Sequence, residues 1–214
     1  MRELSFPGRS NVLGQNGMVA TSNPLSSLEA INILKKGGNA IDAAIAASAV
    51  QAVVNPSATG VGGDCFAIVS INGKDPVSVN GSGIAPKKAK LEYYKTNKIN
   101  NIGLTSPHSV TIPGSVHAWC SMHEKFGNIE LEEVLLGAIN FARNGFPIHE
   151  VEALAWKENE NKLKANENSK NLFLKNNKSY GYGEVFKNNQ LANTLQNIAK
   201  YKIKGFYESN ITRD

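Results

Sequence analysis

The sequence predicts a mixed α/β fold, and three local patterns carry that prediction. A capped helix opens at Asn23-Pro24, an alanine-rich helix runs from Ala40 to Val54, and a strand–turn–strand unit lies between Cys65 and Asn80. Met18-Val19-Ala20-Thr21 is a short apolar run suited to a strand before the first helix. Asn23 is placed to cap that helix, and Pro24 sits at the first helical position, where its missing N–H costs nothing. Leu25, Leu28, Ile31 and Leu34 recur every three residues and predict the buried face, while Gly37-Gly38 ends the run at the usual left-handed position.

Asn39 caps the second helix at once, with Asp42 three residues on, near the positive end of the helix dipole. From Ala40 to Val54 the helix is apolar on every side, which predicts burial all round and close neighbours; Asn55-Pro56 ends it. After Thr59-Gly60-Val61-Gly62-Gly63-Asp64, the run Cys65 to Ile71 is rich in strand formers. Asn72-Gly73-Lys74-Asp75 is a turn and Val77 to Asn80 the returning strand. Gly81 to Pro86 leaves the sheet, and extended or turning chain follows as far as Pro113-Gly114. From Ser115 the pattern is helical, with Val116, Trp119, Met122, His123 and Phe126 on one stripe. Leu131 to Asn144 predicts a further helix closed by Gly145, and 150–174 and 184–202 predict two polar helices. No internal repeat and no linker interrupts the chain.

Length and composition bound the function classes. A chain of 214 residues and 23.1 kDa, 41% hydrophobic and 19% charged, is long enough to bury a core without disulfide or metal staples. Cys65 and Cys120 are too few for a disulfide scaffold, the most apolar stretch carries Asp42, Ser48 and Gln51, and Met1 to Pro7 lacks an apolar leader segment. These features predict a cytoplasmic protein with no membrane partner. The net charge of +5 is local: residues 157–204 hold ten Lys, no Arg and four Glu, so the remainder is near neutral. Across the chain 19 Lys and 26 Asn stand against four Arg. Nucleic-acid readers lean on arginine and interleaved aromatics, so a solvated helical surface explains the lysines and no nucleic-acid partner is expected.

Local motifs exclude several chemistries. The glycines at 60–63 lack the Gly-Lys-Ser/Thr of a phosphate loop and lie between a helix and a strand, the reverse of a dinucleotide fingerprint. They predict a tight turn that brings backbone close to the buried helix. His108, His117, His123 and His149 form no His-Glu-x-x-His, the two cysteines are 55 residues apart, and no Gly-x-Ser-x-Gly elbow occurs. The histidines read as ordinary, partly exposed ones, and no metal site is expected.

Taken as a string, the segments say more. Gly17-Met18-Val19-Ala20-Thr21, Asn23-Pro24-Leu25, Gly37-Gly38-Asn39-Ala40-Ile41-Asp42-Ala43-Ala44 and Gly60-Val61-Gly62-Gly63-Asp64-Cys65-Phe66 together resemble the start of the gamma-glutamyltranspeptidase family. Val110 to Val116, His123-Glu124-Lys125-Phe126-Gly127, and Ala138-Ile139 with Ala142 to Phe146 follow in that family's order, and Gly205-Phe206-Tyr207 is similar to a later landmark. The resemblance implies an N-terminal-nucleophile hydrolase with a four-layer αββα sandwich, made as a proenzyme that cleaves itself. Its new N-terminal Thr attacks an amide carbonyl while the α-amino group of the same residue serves as base. A free α-amine has a pKa near 8 (about 7.7–8.0), close enough to neutral for that role. No cofactor is implied.

Two departures shape the expectations. The family's nucleophile stands in a Thr-Thr-His-type string, and none of Thr21, Thr59, Thr96, Thr105, Thr111, Thr194 and Thr212 is followed by Thr or His. The expectation is therefore that residues 1–214 are the front of a large subunit: 17–86 give a helix pair and hairpin of the sandwich, 87–214 a mainly helical part. The catalytic Thr would come from a C-terminal part or small subunit, and this chain alone would have no catalytic residue and be inactive, with sheet edge exposed. Transpeptidases also carry Arg-Glu-x-Ala-Pro, whose Arg holds the substrate's α-carboxylate; here Ser82-Gly83-Ile84-Ala85-Pro86 fills that place. A hydroxyl accepts or donates a hydrogen bond but brings no charge and no two-pronged fork. Asn80, Ser82 and Gly83 are thus the expected substrate-binding residues. Their context looks more like the signal-less branch that includes an oxamate amidohydrolase, which sets small amido acids beside gamma-glutamyl compounds as substrates. The remaining alternative is a non-catalytic fragment or interaction module.

Overall fold

The computed structural model describes residues 11–209; the leader reading on Met1 to Pro7 and the one on Thr212 lie outside them. The expected α/β character holds, with nine α-helices, one 3-10 turn at Pro107–Ser109 and three short antiparallel strand pairs among the described residues.

α1 (Pro24–Lys35) and α2 (Ala40–Val54) form as their ends dictate. The Asn23 side chain accepts the Leu25 amide, and Gly37 takes φ +93° just beyond α1. At α2 the capping box is complete: the Asn39 side chain accepts from Ile41 and Asp42 while Asp42 accepts the Asn39 amide at 2.9 Å. Asp42 is fully buried and also receives the Asn128 amide on both oxygens, at 3.2 and 3.0 Å. The side chain of Asn39 donates to the Phe126 carbonyl at 2.6 Å, and that of Asn128 to the Gly37 carbonyl at 2.8 Å. The start of α2 is thereby tied to the link between α4 (Ser115–Phe126) and α5 (Leu131–Asn144).

The buried face of α1 is Ser26, Ala30 and Ile33, whereas Leu28 is 53% exposed. Steps of three residues advance by 300°, so four such leucine and isoleucine positions drift across half the helix circumference and do not make one face. Small residues at 26 and 30 are what admit α2. α2 itself is buried on most sides, with Ile45, Val50 and Val54 each contributing about 1.5–3 kcal/mol of burial. It is not buried all round: Ala40 and Ala44 are exposed and Ser48 half-buried, one stripe at four-residue spacing.

β1 (Cys65–Val69) and β2 (Val77–Gly81) pair antiparallel, Cys65 opposite Gly81 and Val69 opposite Val77. One face, with Ala67 and Val69, turns to α4; the other leaves Phe66 and Ile68 66% and 80% exposed. Residues 18–21 pair with no strand among the described residues, so the apolar run there is extended chain without a ladder. A short α3 (Leu91–Thr96) lies in the stretch expected to be extended. α4 begins at the expected Ser115, and α5 has its expected bounds, closed by Gly145 at φ +94°.

The single helix expected over 150–174 is three: α6 (Glu150–Glu158), α7 (Glu160–Lys164) and α8 (Glu167–Phe173). An aromatic cluster overrides helical continuity here. Trp156 meets Phe173, Tyr180 and Phe186 at ring-centroid distances of 5.2, 6.0 and 4.9 Å, which requires the chain to fold back. β3 (Phe146–Pro147) pairs with β6 (Val185–Phe186), and β4 (Leu174–Lys175) with β5 (Lys178–Ser179). The turn between β4 and β5 is Asn176-Asn177, both at positive φ (54° and 62°), the backbone a two-residue hairpin prefers. Glu152, buried among these rings, accepts from the Ser57 amide, the Ser57 hydroxyl and the Trp156 indole, and so pins the exit of α2 to α6. The last expected helix begins later and runs further, as α9 (Asn189–Tyr207), broken at Lys202 (φ 53°, ψ −133°). Ala192, Leu195, Ile198 and Ala199 bury its face against α5.

Candidate functional site

Asn80, Ser82 and Gly83 come together on one wall of a cleft of about 550 Å³. The local sequence determines how. The side-chain Oδ1 of Asn80 accepts the Ser82 amide at 3.1 Å, bending the chain away from β2. Gly83 then takes φ +69°, and a Cβ there would lie 2.0 Å from the Ile112 carbonyl oxygen. A Cβ on Gly81 would fall 2.7 Å from that of Ala118, and one on Gly114 only 2.2 Å from the Gly81 oxygen. Three glycines thus let the segment 81–83 lie backbone against backbone on 112–114. The half-buried Ser82 is the only side chain between Asn80 and Ile84.

The same contact does not occur at the glycines singled out from sequence. A Cβ on Gly60 or Gly62 would meet nothing within 4 Å, so no close approach to the buried helix explains them. That segment is a turn, with the Gly63 amide on the Gly60 carbonyl at 3.1 Å, and it presents carbonyls to α4. Gly63 accepts the amides of Gly114 and Ser115 at 3.1 and 3.0 Å, and Val61 accepts the Ser115 hydroxyl at 2.8 Å.

The opposite wall is built from the far end of the chain. The break at Lys202 redirects the last turn of α9 so that Ile203 and Tyr207 face the cleft. Gly205 makes this possible, since a Cβ would stand 2.1 Å from the Asn197 carbonyl oxygen. The Tyr207 hydroxyl accepts the His117 amide at 3.2 Å and donates to Pro113. It therefore serves as a long-range cap for α4, whose own cap residue, Gly114, has no side chain to offer. Burial pushes the Tyr207 phenol above the usual tyrosine range, partly offset by the His117 amide. His117, regarded in the sequence as an ordinary exposed histidine, lines the cleft from the first turn of α4. Only the landmark value of Gly205-Phe206-Tyr207 pointed to the opposite wall in advance.

Chemically, the lining is largely apolar, from Ile84, Ile112, Pro113 and Ile203, with a few polar groups among them. It contains no Lys, Arg, Asp or Glu, and its titratable side chains are His117 and Tyr207. No hydrogen bond links the Ser82 hydroxyl to His117 among the described residues, so the one serine of the cleft lining is not base-activated, and no threonine lines the cleft. No group of three or more metal-ligating side chains occurs among the described residues. None of the described helices is long and apolar enough to cross a membrane. A second groove, about 320 Å³, runs between the open stripe of α2 (Ala40, Ala44, Ser48) and β1, beside Trp119.

Comparison with known proteins shows which sequences and folds the chain is similar to. The family model described as Gamma-glutamyltranspeptidase matches residues 26–214. The glutathione hydrolase-like YwrD proenzyme of Bacillus subtilis is 35% identical over 205 residues, covering 95% of this chain and 39% of its own length. Among solved structures, cephalosporin acylase from Bacillus halodurans superposes with a TM-score of 0.91 at 34% identity, covering 99% of this chain and 41% of that one. Helicobacter pylori gamma-glutamyltranspeptidase superposes with a TM-score of 0.87 at 30% identity, covering 95% and 60%. The chain thus spans about two fifths of the length of the YwrD relative.

Proposed function

Because the chain belongs to the gamma-glutamyltranspeptidase family, we propose that it forms the N-terminal part of the large subunit of an N-terminal-nucleophile amidohydrolase or acyltransferase. Its substrate would be a gamma-glutamyl compound or a small amido acid. The reading is carried by the cleft at Ser82, which can hold an acyl group yet contains no activated nucleophile. The attacking hydroxyl and its base are then one N-terminal Thr donated by the C-terminal part or small subunit. Asn80, Ser82 and Gly83 bind the acyl donor: the Asn80 amide nitrogen makes no hydrogen bond among the described residues, and the backbone contact at Gly83 fixes Ser82. The same donated part covers the outward face of the β1–β2 hairpin, where Phe66 and Ile68 lie open beside unpaired strand edges. No nucleic acid, membrane or cofactor enters this scheme.

Ser82 sets the small amido acid beside glutathione-type donors, because a hydroxyl supplies neither the charge nor the two-pronged fork that an arginine offers a glutamyl head. The decisive experiment compares residues 1–214 alone with the same chain joined to the polypeptide encoded downstream, using a gamma-glutamyl anilide and oxamate. The expected result is self-cleavage exposing a new N-terminal Thr and turnover only in the longer protein, the faster donor setting the substrate class. Turnover by residues 1–214 alone would overturn the reading.

A further inference from the structure

The inference drawn here rests on the cleft at Ser82 being the acyl-donor site. Both donor classes considered above carry a carboxylate, and Ser82 meets it with an uncharged hydroxyl. Among the described residues lining the cleft none is Lys or Arg. One residue of the lining has a side chain that can carry positive charge, His117.

Its setting suits that task. The main chain of His117 is held by the bond from its amide to the Tyr207 hydroxyl, so the Cα does not drift. On the side chain, Nδ1 lies 3.5 Å from the Ser121 hydroxyl, one turn along α4, and Nε2 has no partner among the described residues. In the tautomer where Nδ1 accepts from the Ser121 hydroxyl, the neutral ring carries its proton on Nε2 and donates from there.

We propose that His117 is a specificity-determining residue of this enzyme: its Nε2 donates to the carboxylate of the acyl donor in place of an arginine. A single imidazole donor is shorter and one-pronged where arginine reaches far with a fork, so it fits a small amido acid better than a glutamyl head.

The test uses the complete, self-processed enzyme and two matched donor pairs: oxamate with oxamide, and a gamma-glutamyl anilide with its α-carboxamide. The reading is the ratio of KM for the acid to KM for its amide. His117→Gln should raise that ratio roughly ten-fold, as expected for loss of one hydrogen bond to a charged group, and His117→Lys should restore at least half of it on a logarithmic scale. A merely structural role would move both KM values together, and an unchanged ratio in His117→Gln overturns the inference. Ser82→Leu separates the two claims. If it impairs all four donors while His117→Gln leaves the ratio fixed, the cleft is the donor site and His117 is not its carboxylate partner. If Ser82→Leu is silent, the assignment of the cleft itself fails.

Discussion

Tyr207 donates its hydroxyl proton to the Pro113 carbonyl at 2.6 Å, bridging 94 positions of chain. The same oxygen receives the His117 amide, so one phenol closes both the end of α9 and the start of α4. Tyr207→Phe keeps the ring and deletes the bridge. It should destabilise the protein by about 1–2 kcal/mol, since a backbone donor and a backbone acceptor lose their partner together. Urea unfolding gives the value, and hydrogen exchange at the His117 amide should accelerate by more than the global change. An amide that exchanges no faster would show that α4 is capped in some other way.

The glycines divide into two sets with opposite tolerance. Gly83→Ala combines a positive φ with a Cβ 2.0 Å from a carbonyl oxygen, and Gly114→Ala places one 2.2 Å from another. Each should lower stability by at least about 2 kcal/mol. Gly60→Ala and Gly62→Ala meet open space and should stay within about 0.5 kcal/mol of the parent. Thermal melts of the four variants check the order; equal losses in both sets would contradict the backbone contact at 81–83.

These contrasts mark how far the sequence alone reaches. The Asn39–Asp42 capping box, the Gly145 stop and the β1–β2 pairing were legible because each depends on residues a few positions apart. Ser82 was singled out from its departure within a family string. Tyr207 and His117 carry no local signal of their meeting, because 90 residues separate them and only the Lys202 break brings them together. The division of 150–174 likewise follows from Phe173, Tyr180 and Phe186 converging on Trp156, a tertiary demand that outweighs helix propensity. Asn176-Asn177 was the one readable hint of the β4–β5 hairpin, since asparagine tolerates the left-handed backbone both positions adopt.

Acid should loosen that hairpin before it unfolds the core. The amide and hydroxyl of Ser179, together with Lys164, hold the Glu160 carboxyl down at about 2. A carboxyl depressed on folding contributes stability that is fully present above its unfolded pKa, near 4.5, and is lost as pH falls through about 2. Exchange protection of the Ser179 amide should therefore persist at pH 5 and decline toward pH 2. Glu160→Gln should lack the pH-dependent part. Protection that is constant over that interval would contradict the bond.

The two thiols should differ in reactivity from ordinary cysteines. Burial pushes Cys120 up to about 11, with Lys202 opposing and Glu124 adding to the shift, and burial also raises Cys65. At neutral pH the thiolate fraction of Cys120 is then very small. A disulfide exchange reagent should leave Cys120 unmodified in the native protein and label it once the chain is unfolded in urea. Rapid native labelling of Cys120 would mean that α4 opens far more readily than its packing implies.

The loop at 81–83 behaves as a rigid socket with a single exchangeable tooth. Its flanking positions are locked by main-chain crowding, so variation is cheap only at 82. A library that randomises position 82 and leaves its neighbours untouched should therefore yield mostly folded proteins that differ in which acyl compounds they accept. In a lineage free to drift, taste for substrate would change there first, while the surrounding architecture stood still.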